Sequence, residues 1–158
     1  MKHLLLTTIA AVLVVGCAPQ PPDISIHDAA YRDIIEAVKQ HMAAGTDVNE
    51  KDEDGWTPLN YAAFSGCKEV AELLIAKGAD VNAMVLHGGV DDAFGNKIPY
   101  DDGGFQLTPI TPYSTPLDLA QTIDKRDAPE IKADKKATAN LIRKHGGKTA
   151  EELKAEGK

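Results

Sequence analysis

Two blocks of this chain return in one register, and that period constrains the fold more than any other feature. Gly45-Thr46-Asp47-Val48-Asn49 reappears as Gly78-Ala79-Asp80-Val81-Asn82, a shift of 33 residues, and the same 33 carries Ala29-Ala30 onto Ala62-Ala63. A fixed period of this length marks a structural unit that cannot bury its apolar face alone and stacks on neighbouring copies. Aromatic residues make up only 5% of the chain while alanine is frequent, which favours closely packed helices over a sheet sandwich.

The fullest copy shows why each position is filled as it is. It reads Asp54-Gly55-Trp56-Thr57-Pro58-Leu59-Asn60-Tyr61-Ala62-Ala63, then Gly66-Cys67-Lys68-Glu69-Val70, then Leu73-Leu74 and Gly78-Ala79-Asp80-Val81-Asn82. Thr57 suits a helix N-cap, and Pro58 suits the first helical position, where a missing amide donor costs nothing. Leu59, Ala62 and Ala63 fall on one helical face, and Val70, Leu73 and Leu74 form a second apolar stripe. Gly66 suits a turn with positive φ, and Gly78 ends the second helix in the left-handed conformation. This copy resembles an ankyrin repeat almost position for position, with Asn60 and Cys67 where histidine is usual. The resemblance implies an all-α solenoid of about three helix-turn-helix repeats with β-turn fingers between them.

The first copy, Ile24 to Glu50, lacks the Thr-Pro-Leu opening and carries Gln40-His41 in place of the second leucine pair. Such polar replacement suits a terminal repeat with a solvated outer face, so His41 is expected to face water. A third copy opens at Thr115-Pro116-Leu117 and closes at His145-Gly146-Gly147, ten residues longer than the second over the same span. The charge-rich stretch Gln121 to Lys136 is expected to form lengthened, solvated helix ends around Ala128-Pro129. Thr149-Ala150-Glu151-Glu152 matches a capping box and predicts a short closing helix. The repeat domain is placed at residues 24–149, with a tail at 150–158.

Between Ala83 and the third Thr-Pro-Leu stand 31 residues, Met84 to Ser114, where an ordinary array places about six. Loops this long inside compact domains are usually functional or disordered. Phe94, Ile98, Tyr100, Phe105 and Leu107 give this one apolar anchors, and an elongated hairpin or a folded-over loop at a finger tip is expected. Asp91-Asp92 and Asp101-Asp102 do not follow the alternating-oxygen spacing of a calcium loop, and His87 with Asp91 lacks a third zinc ligand. Turn-forming, solvated aspartates account for them. There is no G-x-S-x-G elbow, no phosphate loop and no H-E-x-x-H helix. No cofactor is expected, and the chain reads as non-enzymatic.

The N-terminus carries a second signal. Lys2 precedes a run of twelve apolar or hydroxylated residues, Leu4 to Val15, then Gly16-Cys17. That run has the length of a signal-peptide core and falls short of the roughly 20 residues needed to span a bilayer. The segment resembles a bacterial lipoprotein signal with a lipobox, which implies cleavage after Gly16 and lipidation of Cys17. Two or more acyl chains give stable attachment where one does not. Pro19, Pro21 and Pro22 stiffen a tether over 17–23, because each ring fixes φ. Ala18 after the cysteine leans the sorting pattern towards the outer membrane, facing the periplasm. Loss of residues 1–16 moves the net charge from −7 to −8. That acidity argues against nucleic acid, whose phosphates need clustered Lys and Arg. Only two cysteines are present, so with Cys17 lipidated Cys67 has no intrachain partner and the fold cannot depend on a disulfide.

These features imply a lipid-anchored, monomeric ankyrin protein that binds another protein of the bacterial cell envelope and scaffolds or inhibits it. The resemblance places contacts on Glu53, Asp54, Trp56, Asn60 and Tyr61, and on the insertion at His87, Asp91, Asp92, Phe94, Tyr100, Asp101, Asp102 and Phe105. The alternative is an envelope enzyme or metal-binding protein whose site is built by residues 84–114.

Overall fold

A computed structural model describes residues 20–86, 113–122 and 127–157. Three helix pairs follow one another: α1 (Ile26–Tyr31) with α2 (Ile35–Ala44), α3 (Pro58–Ser65) with α4 (Lys68–Ala76), and α5 (Pro116–Gln121) with α6 (Pro129–Lys144). A short α7 (Ala150–Ala155) closes the stack. The first helices α1, α3 and α5 lie side by side in one row, and α2, α4 and α6 form a second row behind them. The fold is the expected ankyrin-type, mostly helical solenoid.

Local chemistry sets the helix starts. The side chain of Thr57 accepts the Asn60 amide, and Asn60 reaches back to the Thr57 amide at 2.9 Å. Thr115 with Asp118 and Thr149 with Glu152 form the same reciprocal box, so the closing helix begins where its sequence predicts. Gly66 ends α3 at φ +79°, and a Cβ there would meet the Lys135 backbone nitrogen at 2.9 Å. Thirty-three residues earlier, the same place in the repeat is held by Asp33, the one non-glycine residue with positive φ (57°) among those described.

Two apolar clusters make one continuous core. Ile26, Val38, Leu59, Val70 and Leu74 fill the space between the first two helix pairs. Val85, Leu117, Leu119 and Ile142 fill the next, and Ile75 and Val81 pack against both. Leu73 was expected in this stripe beside Leu74. Instead Leu74 is fully buried while Leu73 stands at the edge, partly exposed, because consecutive helical residues point about 100° apart.

The repeat period has a structural meaning at its asparagines. Asn49 donates to the Gly78 carbonyl at 3.2 Å and accepts the Asp80 amide at 2.8 Å. Asn82 does the same one repeat on, donating to Gly146 at 3.4 Å and accepting the Lys148 amide at 2.8 Å. The third helix pair therefore docks in register despite the insertion before it. Only the ends of that insertion are described. Val85 pairs with Ser114 and Leu86 with Tyr113, as the antiparallel strands β1 (Val85–Leu86) and β2 (Tyr113–Ser114).

Two polar expectations are corrected. His41 does not face water: it is 6% exposed, its Nε2 lies 2.7 Å from the Ile24 carbonyl, and its Nδ1 lies 3.1 Å from the Thr46 hydroxyl. A carbonyl can only accept, so Nε2 carries the proton. The charged stretch Gln121 to Lys136, within the last helix pair, is not uniformly solvated either. Lys135 is 5% exposed, and its ammonium donates to Asp127 at 3.0 Å and to the Thr122 carbonyl at 3.1 Å. Thr138, fully buried on the same helix, donates to the Gly66 carbonyl at 3.0 Å.

Candidate partner-binding face

The turn from Asp52 to Trp56 is set by a single carboxylate. Asp52 Oδ1 accepts the amides of Asp54 and Trp56 at 3.0 and 2.8 Å, folding the finger that precedes α3. Its other oxygen accepts the Tyr61 hydroxyl at 2.6 Å, which ties the finger to the first turn and a half of that helix. Tyr61 is the centre of an aromatic cluster. Trp56 lies tilted against it at 5.0 Å between centroids, while His27 and Tyr31 of α1 meet it edge-on at 5.9 and 6.2 Å. Trp56 also meets Phe64 edge-on at 5.9 Å, and the Lys135 ammonium sits 5.3 Å from the Phe64 centroid. Edge-on and offset pairs are the favoured geometry for rings that carry negative faces.

Burial holds the Tyr61 hydroxyl well above the ordinary phenol range. Its hydrogen bond to Asp52 and the charges of Asp52, Asp54 and Asp28 push it the same way. Tyr61 is thus a fixed donor, and negative charge surrounds it from α1 and from the finger.

Of the expected contact residues, Glu53 and Asp54 are exposed on the finger, and Trp56 and Tyr61 are half-buried in the cluster. Asn60 is a correction. It is 0% exposed, its oxygen serves the Thr57 cap and its amide donates to the Ala83 carbonyl at 3.2 Å, so it holds two fingers together and meets no partner. Cys17, His87, Asp91, Asp92, Phe94, Tyr100, Asp101, Asp102 and Phe105 lie outside the described residues. His27 and Tyr31 join the face without having been anticipated. The signal was present in the period, because a shift of 33 carries Tyr31 onto Phe64.

Cys67 packs at the start of α4, its thiol 3.7 Å from the Tyr31 carbonyl. Burial first, and then the neighbouring Asp33 carboxylate, push its pKa up to about 12. Among the described residues no group of three His, Cys, Asp or Glu side chains could hold a metal ion. No described helix is long and apolar enough to cross a membrane.

The family model described as ankyrin repeats, three copies, matches residues 9–88. The chain belongs to the ankyrin-repeat family. This ankyrin protein is similar to mouse protein phosphatase 1 regulatory subunit 27, 39% identical over 59 residues that cover 37% of the chain and 38% of the relative. It is similar to human mitochondrial disaggregase, 38% identical over 77 residues, covering 47% and 11%. Human ankyrin repeat domain-containing protein 49 is 41% identical over 59 residues, covering 37% and 25%. The chain thus spans less than two fifths of the length of these relatives. The crystal structure of the human ASB11 ankyrin repeat domain superposes with a TM-score of 0.52 at 21% identity, over 79% of this chain and 41% of that one, and supports the fold. Ankyrin repeats imply protein partners, and the aromatic face around Tyr61 is the described surface best suited to one.

Proposed function

We propose that this ankyrin protein is a lipid-anchored, non-enzymatic interaction module of the bacterial cell envelope, attached through Cys17 and facing the periplasm, where it scaffolds or inhibits a single protein partner. The observation that carries the interaction reading is the Tyr61 cluster, because it leaves Tyr31 48% exposed and has the exposed carboxylates of Asp54 and Asp28 acting on Tyr61. Trp, Tyr and Arg are enriched among the few interface residues that carry most of the binding energy. The anchor is supported by Gly16-Cys17 behind the apolar run, and the insertion at 84–114 adds a second stretch of aromatic and acidic residues at a finger.

Two measurements test it. Fatty-acid labelling in cells should mark the native chain and not Cys17→Ser, with the variant released from membranes and its melting unchanged. Crosslinking in cells from a photoreactive residue at Tyr100 or Tyr31 should capture one envelope protein. Equal labelling of both chains removes the anchor from this reading. A tightly held metal ion in purified protein, lost with residues 91–105, would replace it with a metal-binding function.

A further inference from the structure

Among the described residues the aromatic chain ends in two different ways. At Phe64 the molecule supplies its own cation: Lys135 lies over the ring at 5.3 Å, and the Asp127 carboxylate holds its ammonium at 3.0 Å. One repeat earlier, Tyr31 occupies the place of Phe64 and meets Tyr61 edge-on, and the carboxylates of Asp54 and Asp28 act on Tyr61. Among the described residues no ammonium or guanidinium lies over Tyr31 or Tyr61, and neither the Asp28 nor the Asp54 carboxylate makes a hydrogen bond or ion pair. Arg32 and Lys51, their neighbours along the chain, form no ion pair with them. Among the described residues, ring and carboxylate are present at both ends and the cation is built in at only one.

We propose that a partner protein supplies the missing cation as an arginine side chain, whose guanidinium lies against Tyr31 and Tyr61 and pairs with Asp54. Ring faces attract cations, and a planar guanidinium stacks on a ring while its fork addresses a carboxylate, which a compact ammonium does less well. A chain of net charge −7 also steers a basic surface towards itself before contact. The proposal rests on the interaction reading above and specifies the chemistry of the partner at this face.

The test uses the purified full chain and three short Gly-Ser peptides, identical except for two positions filled by arginine, by its neutral isostere citrulline, or by lysine. Binding is followed by Trp56 fluorescence, since the chain has one tryptophan, and by backbone amide shifts. The arginine peptide is expected to bind about five- to tenfold tighter than the citrulline peptide, the combined size of an exposed cation–π contact and an exposed ion pair. Asp54→Asn and Tyr31→Ala should each remove most of that difference, with shifts centred on Tyr31, Tyr61 and the finger. Asp54 is exposed and its side chain supports no fold contact, so its variant reports on binding even where Tyr31→Ala unfolds. Equal affinity for arginine and citrulline, no saturable binding, or full binding to Asp54→Asn overturns the proposal. If an envelope partner is captured and binds Asp54→Asn and Tyr31→Ala unchanged, the interaction reading stands and the arginine site falls. If the arginine peptide behaves as expected and no envelope partner is captured, the arginine site stands and the envelope reading falls.

Discussion

Leu73 and Leu74 are neighbours in sequence with opposite structural weight. Leu74→Ala is expected to cost about 2–5 kcal/mol, because it empties a fully enclosed site between the first two helix pairs. Leu73→Ala, at the edge of the stripe, should cost clearly less, and thermal melts of the two variants decide the order. Both leucines fit the apolar pattern, and only the rotation of the packed helix separates them. Lys135 and His41 were illegible for a related reason: a sequence displays a charge or a ring nitrogen but not the carbonyl or carboxylate that meets it. Asp127, the Thr122 carbonyl and Phe64 reach Lys135 only through the fold. Cys67 shows what burial does to chemistry. With its pKa raised to about 12 by burial and by Asp33, the thiol of folded Cys17→Ser protein should alkylate slowly at pH 8 and rapidly in denaturant. Between the ordinary value of 9.0 and about 12 the folded chain keeps a proton that the unfolded chain releases, so this group's contribution to stability falls as pH rises through that window. Iodoacetamide rates with and without urea give the measurement; equal rates would mean that the site opens freely.

At the scale of helices, starts were readable and burial was not. A capping box is closed by residues three apart, so Thr57, Thr115 and Thr149 announce their helices without help from the rest of the molecule. Thr115 does more than cap. Its hydroxyl donates to the Lys148 carbonyl at 2.7 Å, and its box partner Asp118 accepts the Ala150 amide at 2.8 Å, which joins α5 to the closing helix. Thr115→Ala should therefore cost roughly 2 kcal/mol, a cap plus a buried hydrogen bond, and Thr149→Ala roughly 1 kcal/mol. Urea titrations of both variants check the difference, which vanishes if the cap is all that matters. The lengthening of α6 from Pro129 was expected, but its burial was not, because that depends on Gly66, whose bare Cα lets the helix backbone approach. The face around Tyr61 was half legible. Trp56, Tyr61 and the finger acids stand next to a recognisable Thr-Pro-Leu start, whereas α1 has no such marker and its His27 and Tyr31 passed unnoticed. Asn60 failed as a contact because the same spacing that makes it a cap partner turns it inward.

For the whole molecule, the stack and the insertion meet at a described joint, β1 with β2. Replacing residues 91–105 by a short Gly-Ser turn should leave the helical circular dichroism intact and the melting temperature unchanged or slightly raised, while abolishing capture of the envelope partner. Unfolding of the shortened chain would mean that those residues complete the core, and undiminished capture would leave recognition to the Tyr61 face alone. The physical ground is the joint between the two parts. Val85 with Ser114 and Leu86 with Tyr113 bring the two chain ends to adjacent strand spacing, and Asn82 then fixes the third helix pair through Gly146 and Lys148. Doubling the length of chain that joins such paired ends costs only about 0.6 kcal/mol. The strand pair therefore works as a socket. Because closure entropy varies so slowly with length, this joint is expected to accept a longer or shorter segment between Leu86 and Tyr113, so specificity can be exchanged there faster than the scaffold itself can be redesigned.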